Sequence, residues 1–184
     1  DYAISQGVII VTSAGNKGAA GMSYPGGNEP VISVAASGWT GEWLPPGNTN
    51  WWNDSDVSDP TNPDDYYIVP WSSRELPGQD LDVAAPGTWI VGPYQYQMGK
   101  ISYFFKSGTS MSSPHVAGIV ALMAQKYPSL TALQAENILE SSAIPLPPGC
   151  RIVLTPWGWE EACWDDDAAG AGLATANAAL DATP

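Results

Sequence analysis

The most continuous apolar stretch of the chain is Val116–Ala124, Val-Ala-Gly-Ile-Val-Ala-Leu-Met-Ala. It shows no polar side at the 3.6-residue period, so it predicts a helix buried all the way round, with Ala117, Gly118 and Ala121 letting neighbours approach. Small hydroxyl residues from Ser107 to Ser113 lead into it, Pro114 is expected within the first turn, and Gly108 is free to bend the backbone just before Ser110. Unpaired backbone N–H groups and the positive end of the helix dipole favour developing negative charge at such a terminus. A nucleophilic hydroxyl suits that position.

Shorter patterns predict strands. Gly7–Val11 is a run of mostly β-branched residues that ends in the turn Thr12-Ser13-Ala14-Gly15-Asn16, and it reads as a central parallel strand. Val31–Ala36 predicts a second buried strand, Leu81–Val91 a strand, turn and strand, and Ile101–Lys106 a strand that runs directly into Gly108-Thr109-Ser110. Active residues belong at strand ends of this kind in open α/β sheets. Tyr127-Pro128 stops the apolar helix, and Thr131-Ala132-Leu133-Gln134 is a capping box that opens another helix through about Ser142. Two excursions interrupt the pattern. From about 39 to 79 the chain is rich in Gly, Pro, Asn, Asp and Trp, which predicts an irregular surface loop tied down by aromatic contacts. The excursion reads as a solvated acidic loop, as a substrate-facing rim or, through Asn53-Asp54-Ser55-Asp56, as a source of calcium ligands, although the spacing is not that of an EF-hand. The second excursion, at about 143–164, contains Pro, Trp and both cysteines.

Composition narrows the partners. The 184 residues carry 19 acidic and 6 basic side chains, formally −13, which argues against nucleic acid or an anionic membrane surface as partner. No run of about 18 apolar residues is present to span a bilayer. Asp1–Gln6 has the character of a helix tail continuing from something longer, because a free helix of that length would not nucleate. Cys150 and Cys163 close a loop of about a dozen residues, either as a disulfide in an oxidising compartment or as two buried thiols. With one histidine in the chain, a zinc site has too few ligands.

The stretch Gly108-Thr109-Ser110-Met111-Ser112-Ser113-Pro114-His115-Val116-Ala117-Gly118 resembles the nucleophile motif of the subtilisin-like serine proteases. That resemblance implies Ser110 as nucleophile and His115 as a structural residue of the helix, not the general base. Helix geometry agrees, because five positions further on lies about 140° round the axis and roughly 7.5 Å along it. The block ending at Asn16 resembles the family's strand to the oxyanion-hole asparagine. Asn16 would then donate its side-chain amide to the tetrahedral oxyanion, with the backbone N–H of Ser110 as second donor. By the same resemblance Ser13, Ala14 and Gly15 line the pocket for the residue before the scissile bond, and Met111 faces the leaving-group side.

Val31–Ala36, Leu81–Gly87 and Gly170–Leu180 also resemble family blocks. The fold class this implies is α/β, a three-layer subtilisin-like fold with a mostly parallel sheet and helices on both faces. Residues 1–184 would hold the C-terminal portion of the catalytic domain. In the family the triad Asp and His lie on segments that precede this portion, so residues 1–184 alone are expected to be inactive, a serine hydroxyl without its base being a poor nucleophile. The implied partners are protein or peptide substrates and the N-terminal part of the catalytic domain. No cofactor is required for the chemistry, a structural calcium is allowed without an assignable ligand set, and the expected location is extracellular. Two other readings stand beside this one. A non-catalytic relative would use the fold for binding, and the acid-acting sedolisins share Gly-Thr-Ser but carry Asp where Asn16 stands, so Asn16 and Pro114-His115 count against them.

Overall fold

The computed structural model describes residues 2–44 and 57–184. After a short helix α1 (Tyr2–Ser5) come strands β1 (Val11–Ser13), β2 (Ile32–Trp39), β3 (Tyr66–Ile68) and β4 (Val83–Pro86). A hairpin of β5 (Ile90–Gln97) and β6 (Lys100–Lys106) leads into helices α2 (Thr109–Lys126) and α3 (Ala132–Ser142). A second hairpin, β7 (Gly149–Thr155) and β8 (Gly158–Trp164), precedes the last helix α4 (Ala176–Ala182).

Strand β2 is the spine. It pairs in parallel with β1, Val11 opposite Ile32, and with β4, Val34 opposite Val83, and antiparallel with β3, Ser37 opposite Ile68. Because side chains alternate along a strand, Ile32, Val34, Val83 and Ala85 share one face, where Val116, Met123 and Leu139 of the helices cover them. Ala35 and Ala84 face the other way into a second cluster with Tyr67, Ile68, Val153 and Trp164. The sheet is therefore mostly parallel and enclosed on both sides, as expected for the α/β class. Among the described residues helices cover one of its faces, and the β7–β8 hairpin and loop segments close the other.

Several local expectations shift. The first strand lies at Val11–Ser13, past most of the apolar run Gly7–Val11, and Val8 is exposed. This strand pairs in parallel with β2, its neighbour among the described residues. Between about 39 and 79 the chain is not all surface loop: Trp43, Tyr66, Tyr67, Ser72 and Ser73 are buried and β3 extends the sheet. The Asn53–Asp56 stretch lies outside the described residues. The second excursion is ordered as the β7–β8 hairpin, and a disulfide joins Cys150 to Cys163 at directly facing positions, both exposed. The capping box at Thr131 and Gln134 forms as expected.

Helix α2 departs from prediction in two ways. It starts at Thr109, which puts Pro114 in the second turn, where the proline ring leaves the Ser110 carbonyl without its i+4 donor. It is also not buried on every side. Val116, Ile119, Val120 and Met123 pack inward, whereas Ala117, Gly118, Ala121 and Leu122 are exposed, Leu122 by 45%. The C-terminal turn is secured by Lys126, whose Nζ donates to the carbonyls of Leu180 at 2.8 Å and Thr183 at 2.6 Å.

Gly87 sets the other end of α2. Its N–H donates to the Ser37 carbonyl of β2 and its carbonyl accepts from the Gly108 N–H, both at 2.8 Å, so it ties the spine to the helix start. A Cβ here would overlap the Ser112 hydroxyl and lie 2.6 Å from the Ala36 Cβ. Gly87→Ala must therefore push α2 off the sheet, and a destabilisation of about 1–3 kcal/mol is expected from urea midpoints of the protein carrying this chain. An unchanged midpoint would show that the helix has slack at this contact.

Candidate active site

The segment that delivers Ser110 is held from three sides. Gly108 is bound to Gly87, and Ser107 accepts the Trp89 N–H at its hydroxyl, 2.9 Å away. The third tether comes from the turn after β1. Thr109 accepts the Gly15 N–H at its hydroxyl (3.1 Å) and gives both its own N–H (3.0 Å) and its hydroxyl proton (2.9 Å) to Asn16 Oδ1. Two donors on the oxygen decide which way the amide lies, so Asn16 Nδ2 is turned away from Thr109. It faces the space over Gly108: the position a Gly108 Cβ would take is 3.4 Å from Asn16 Nδ2 and 3.8 Å from the Ser110 backbone nitrogen.

Helix starts leave N–H groups unpaired. Here Thr109 gives its N–H to Asn16 and Met111 gives its N–H to the Gly108 carbonyl at 2.8 Å. The Ser110 N–H has no acceptor among the described residues. Two donors thus border one small volume next to an exposed hydroxyl, an arrangement that can stabilise an oxyanion as it forms.

The sequence singled out Ser110 and Asn16, and the fold brings both to this spot. Met111 is half-buried, with Sδ 3.6 Å from the same Gly108 position, and it borders a shallow cleft of about 280 Å³ with Ile90, Ser110, Pro114 and His115. Ser13 is half-buried in β1. Ala14 lies fully inside the core, and a side chain at Gly15 (φ +113°) would meet the Ser23 hydroxyl at 2.6 Å and the Ser73 hydroxyl at 2.9 Å. Any contact that Ala14 and Gly15 make with a ligand is therefore through backbone. His115 is exposed, and its Nδ1–H donates to the Met111 carbonyl at 2.8 Å, which engages the ring with its own helix. Thr109 was not singled out from the sequence, and the neighbouring motif is the one signal that could have drawn notice to it.

Two buried carboxyls flank the sheet. Asp82 is fully buried; Oδ2 accepts from the Ser33 N–H at 2.7 Å and the Ser33 hydroxyl at 2.8 Å, while Oδ1 has no partner among the described residues. Burial pushes its pKa up to about 7 against the lowering effect of the Ser33 hydrogen bonds, and the nearby Asp80 and Glu136 raise it further. Burial likewise raises Glu42 to about 7, opposed by hydrogen bonds from the Thr88 hydroxyl and the Trp39 N–H. Asp80, Asp82 and Glu136 each bring a carboxylate oxygen within 4.8 Å of the others, and these are the residues that could hold a hard cation. No helix among the described residues is long and apolar enough to cross a membrane.

Comparison with known proteins finds related sequences and structures. The sequence pattern described as the Subtilase family matches residues 1–178. Subtilisin DY of Bacillus licheniformis is 33% identical over 147 residues, 78% of this chain and 42% of that protein. M-protease of Shouchella clausii (strain KSM-K16) is 31% identical over 141 residues, 77% of this chain and 29% of that protein. Among solved structures, a protease from Pseudoalteromonas arctica PAMC 21717 superposes with a TM-score of 0.66 at 25% identity, covering 99% of this chain and 44% of that one. Fervidolysin from Fervidobacterium pennivorans, described as a keratinolytic enzyme related to subtilisin, gives 0.63 at 28% identity over 98% of this chain and 23% of that one. The chain thus spans less than half the length of these relatives.

The carboxyls generate a pH prediction. Because the folded state favours the protonated form, Asp82 and Glu42 add stability that is complete below the ordinary carboxylate range near pH 4 and is lost as the pH rises through about 7. In EDTA, Asp82→Asn should remove part of the fall in Tm between pH 5 and pH 8, by about 5 °C. Parallel melting curves for wild type and variant across that interval would contradict the assignment.

Proposed function

Because this chain belongs to the subtilase family, we propose that the protein carrying it is a secreted serine endopeptidase that cleaves peptide bonds through an acyl-enzyme on Ser110. The Ser110 hydroxyl loses its proton to a base as its oxygen attacks the scissile carbonyl carbon. The negative charge that moves to the carbonyl oxygen is met by Asn16 Nδ2 and the Ser110 N–H. The C–N bond then breaks, the base returns the proton to the departing amine, and water releases the acyl group by the same route. What carries this reading is the Thr109 clamp, which turns the Asn16 amide toward the space bordered by the Ser110 N–H.

The base is proposed to come from a segment outside residues 1–184. The chain's one histidine, His115, is tied to the Met111 carbonyl by Nδ1. Residues Ser13, Ala14 and Gly15 form one wall for the residue before the scissile bond, Ala14 and Gly15 through backbone, and Met111 stands on the leaving-group side. No cofactor enters this chemistry. A structural calcium would find oxygen ligands at Asp80, Asp82 and Glu136.

A fluorophosphonate probe applied to the full-length protein and to residues 1–184 alone tests the proposal. Full-length protein should label at Ser110 and digest casein, and Ser110→Ala should do neither. Asn16→Leu should lower kcat about 100- to 1,000-fold with KM little changed, the loss established for such a donor in a subtilisin. The isolated chain should stay unlabelled; rapid labelling would mean that the base lies within it. A full-length protein inert in both assays would leave the non-catalytic binding reading in its place.

Met111 gives a second handle. Oxidation of the thioether adds a polar oxygen beside the nucleophile. Peroxide should lower the activity of the full-length enzyme, and Met111→Ala should be resistant; equal inactivation of both would remove Met111 from the leaving-group side.

A further inference from the structure

A groove of about 770 Å³ extends from Asn16 and Ser107 at one end to Trp157 and Glu160 of the β7–β8 hairpin at the other. Its floor is apolar, built from Val69, Val153 and Ala162, and its walls include Trp71, Trp89 and Trp157. Trp89 is the hinge of this arrangement. It holds a left-handed backbone (φ +52°) that is unusual for a bulky residue, with its ring 5.0 Å from Trp43 and 5.7 Å from Trp157, and its N–H on the Ser107 hydroxyl. The hairpin tip is thereby joined to the segment that delivers Ser110.

The groove also has polarity. Lys17 lies at the Asn16 end and Glu160 at the hairpin end, whereas Glu161 turns to the opposite side of β8, where its carboxylate lies within 4.8 Å of the Cys150 and Cys163 sulfurs. Glu160 stands on β8 opposite Val153, on the same side of the strand as the buried Ala162 and Trp164. Its Oε1 accepts from the Thr155 hydroxyl at 3.1 Å. Neither Glu160 nor Glu161 forms an ion pair among the described residues, where the pair present is Arg151 with Asp64. Covering the core explains the inward Val153, Ala162 and Trp164. It does not explain Trp157, 79% exposed, or the Glu160 carboxylate that lines the same groove.

We propose that this groove seats the leaving-group side of a polypeptide substrate, and that Glu160, with Trp157, selects a basic side chain there. The direction rests on the proposed hydrolysis: Ser13 to Gly15, which flank the residue preceding the scissile bond, lie outside the groove, whereas Asn16, Lys17 and Ser107 line it, so the chain beyond that bond leaves over Lys17 and Ser107 toward the hairpin. The occupant follows from complementarity. A Lys or Arg stem lies along indole faces while its charge reaches the Glu160 carboxylate, and an acidic side chain at the same place meets a like charge.

Binding and cleavage are read separately. Full-length protein carrying Ser110→Ala is titrated, by fluorescence anisotropy, with labelled peptides that differ only in having Lys, Ala or Glu shortly after the scissile position. The Lys peptide should bind roughly fivefold tighter than the Glu peptide, a margin expected for an exposed ion pair and a cation–π contact together. The margin should shrink in 1 M salt, disappear in Glu160→Gln, persist in Glu161→Gln and reverse in Glu160→Lys, with the Ala peptide unaffected by the Gln changes. Equal affinities for the Lys and Glu peptides, or a margin that survives Glu160→Gln, would overturn the inference even in an active enzyme. A Lys preference in binding, together with no hydrolysis by the protein that retains Ser110, would uphold the groove and defeat the protease reading instead.

Discussion

One threonine hydroxyl holds the candidate site together. Thr109 Oγ1 accepts a hydrogen bond from the Gly15 N–H and donates one to Asn16 Oδ1, bonding two positions of a turn that are 94 and 93 residues away in sequence. An asparagine amide in water has no reason to prefer one orientation. With its oxygen bound twice, the NH2 end is aimed before any ligand arrives, so no reorganisation is required when charge develops. Remove that constraint and the turn after β1 and the start of α2 are two surface features that happen to be near each other.

The clamp is meaningful only because both of its ends are fixed elsewhere. The turn is fixed by β1 pairing with β2 and by the Ala14 N–H on the Val34 carbonyl at 3.0 Å. The helix start is fixed by Gly87, which takes its own place from β2 as well. A single strand therefore references both halves of the site, and errors in one element do not accumulate along the chain before reaching the other. Asp82 stitches β4 to β2 at Ser33 in the same layer, at the cost of a carboxyl that burial keeps near neutrality.

How much of this was legible in the sequence depends on range. The motif around Ser110, the capping box at Thr131 and the strand character of Val31–Ala36 are local, and each formed close to where its residues indicated. The side-chain clamp was not legible, because its geometry belongs to two segments that meet only in the folded state. The same limit explains α2. An apolar periphery states that the helix seeks cover on every side, and it cannot state that Leu122 finds none among the described residues. The β7–β8 hairpin was hidden for another reason: in Gly149–Thr155 the exposed face carries Cys150 and Ile152 while Arg151 stands on the same side as the buried Val153, so polar and apolar residues do not alternate as burial would predict. The positive φ of Trp89 has no sequence signature at all, since nothing about a tryptophan announces a left-handed backbone.

The covalent link between Cys150 and Cys163 sits at the base of its hairpin, beside the buried Ala162 and Trp164, whereas the turn at Pro156–Trp157 lies at the far end. The base is anchored independently of what the tip carries. Residues at the tip can then be exchanged without loosening the layer beneath, and a lineage could retune what it recognises there while the hydroxyl, the amide and their clamp are inherited unchanged.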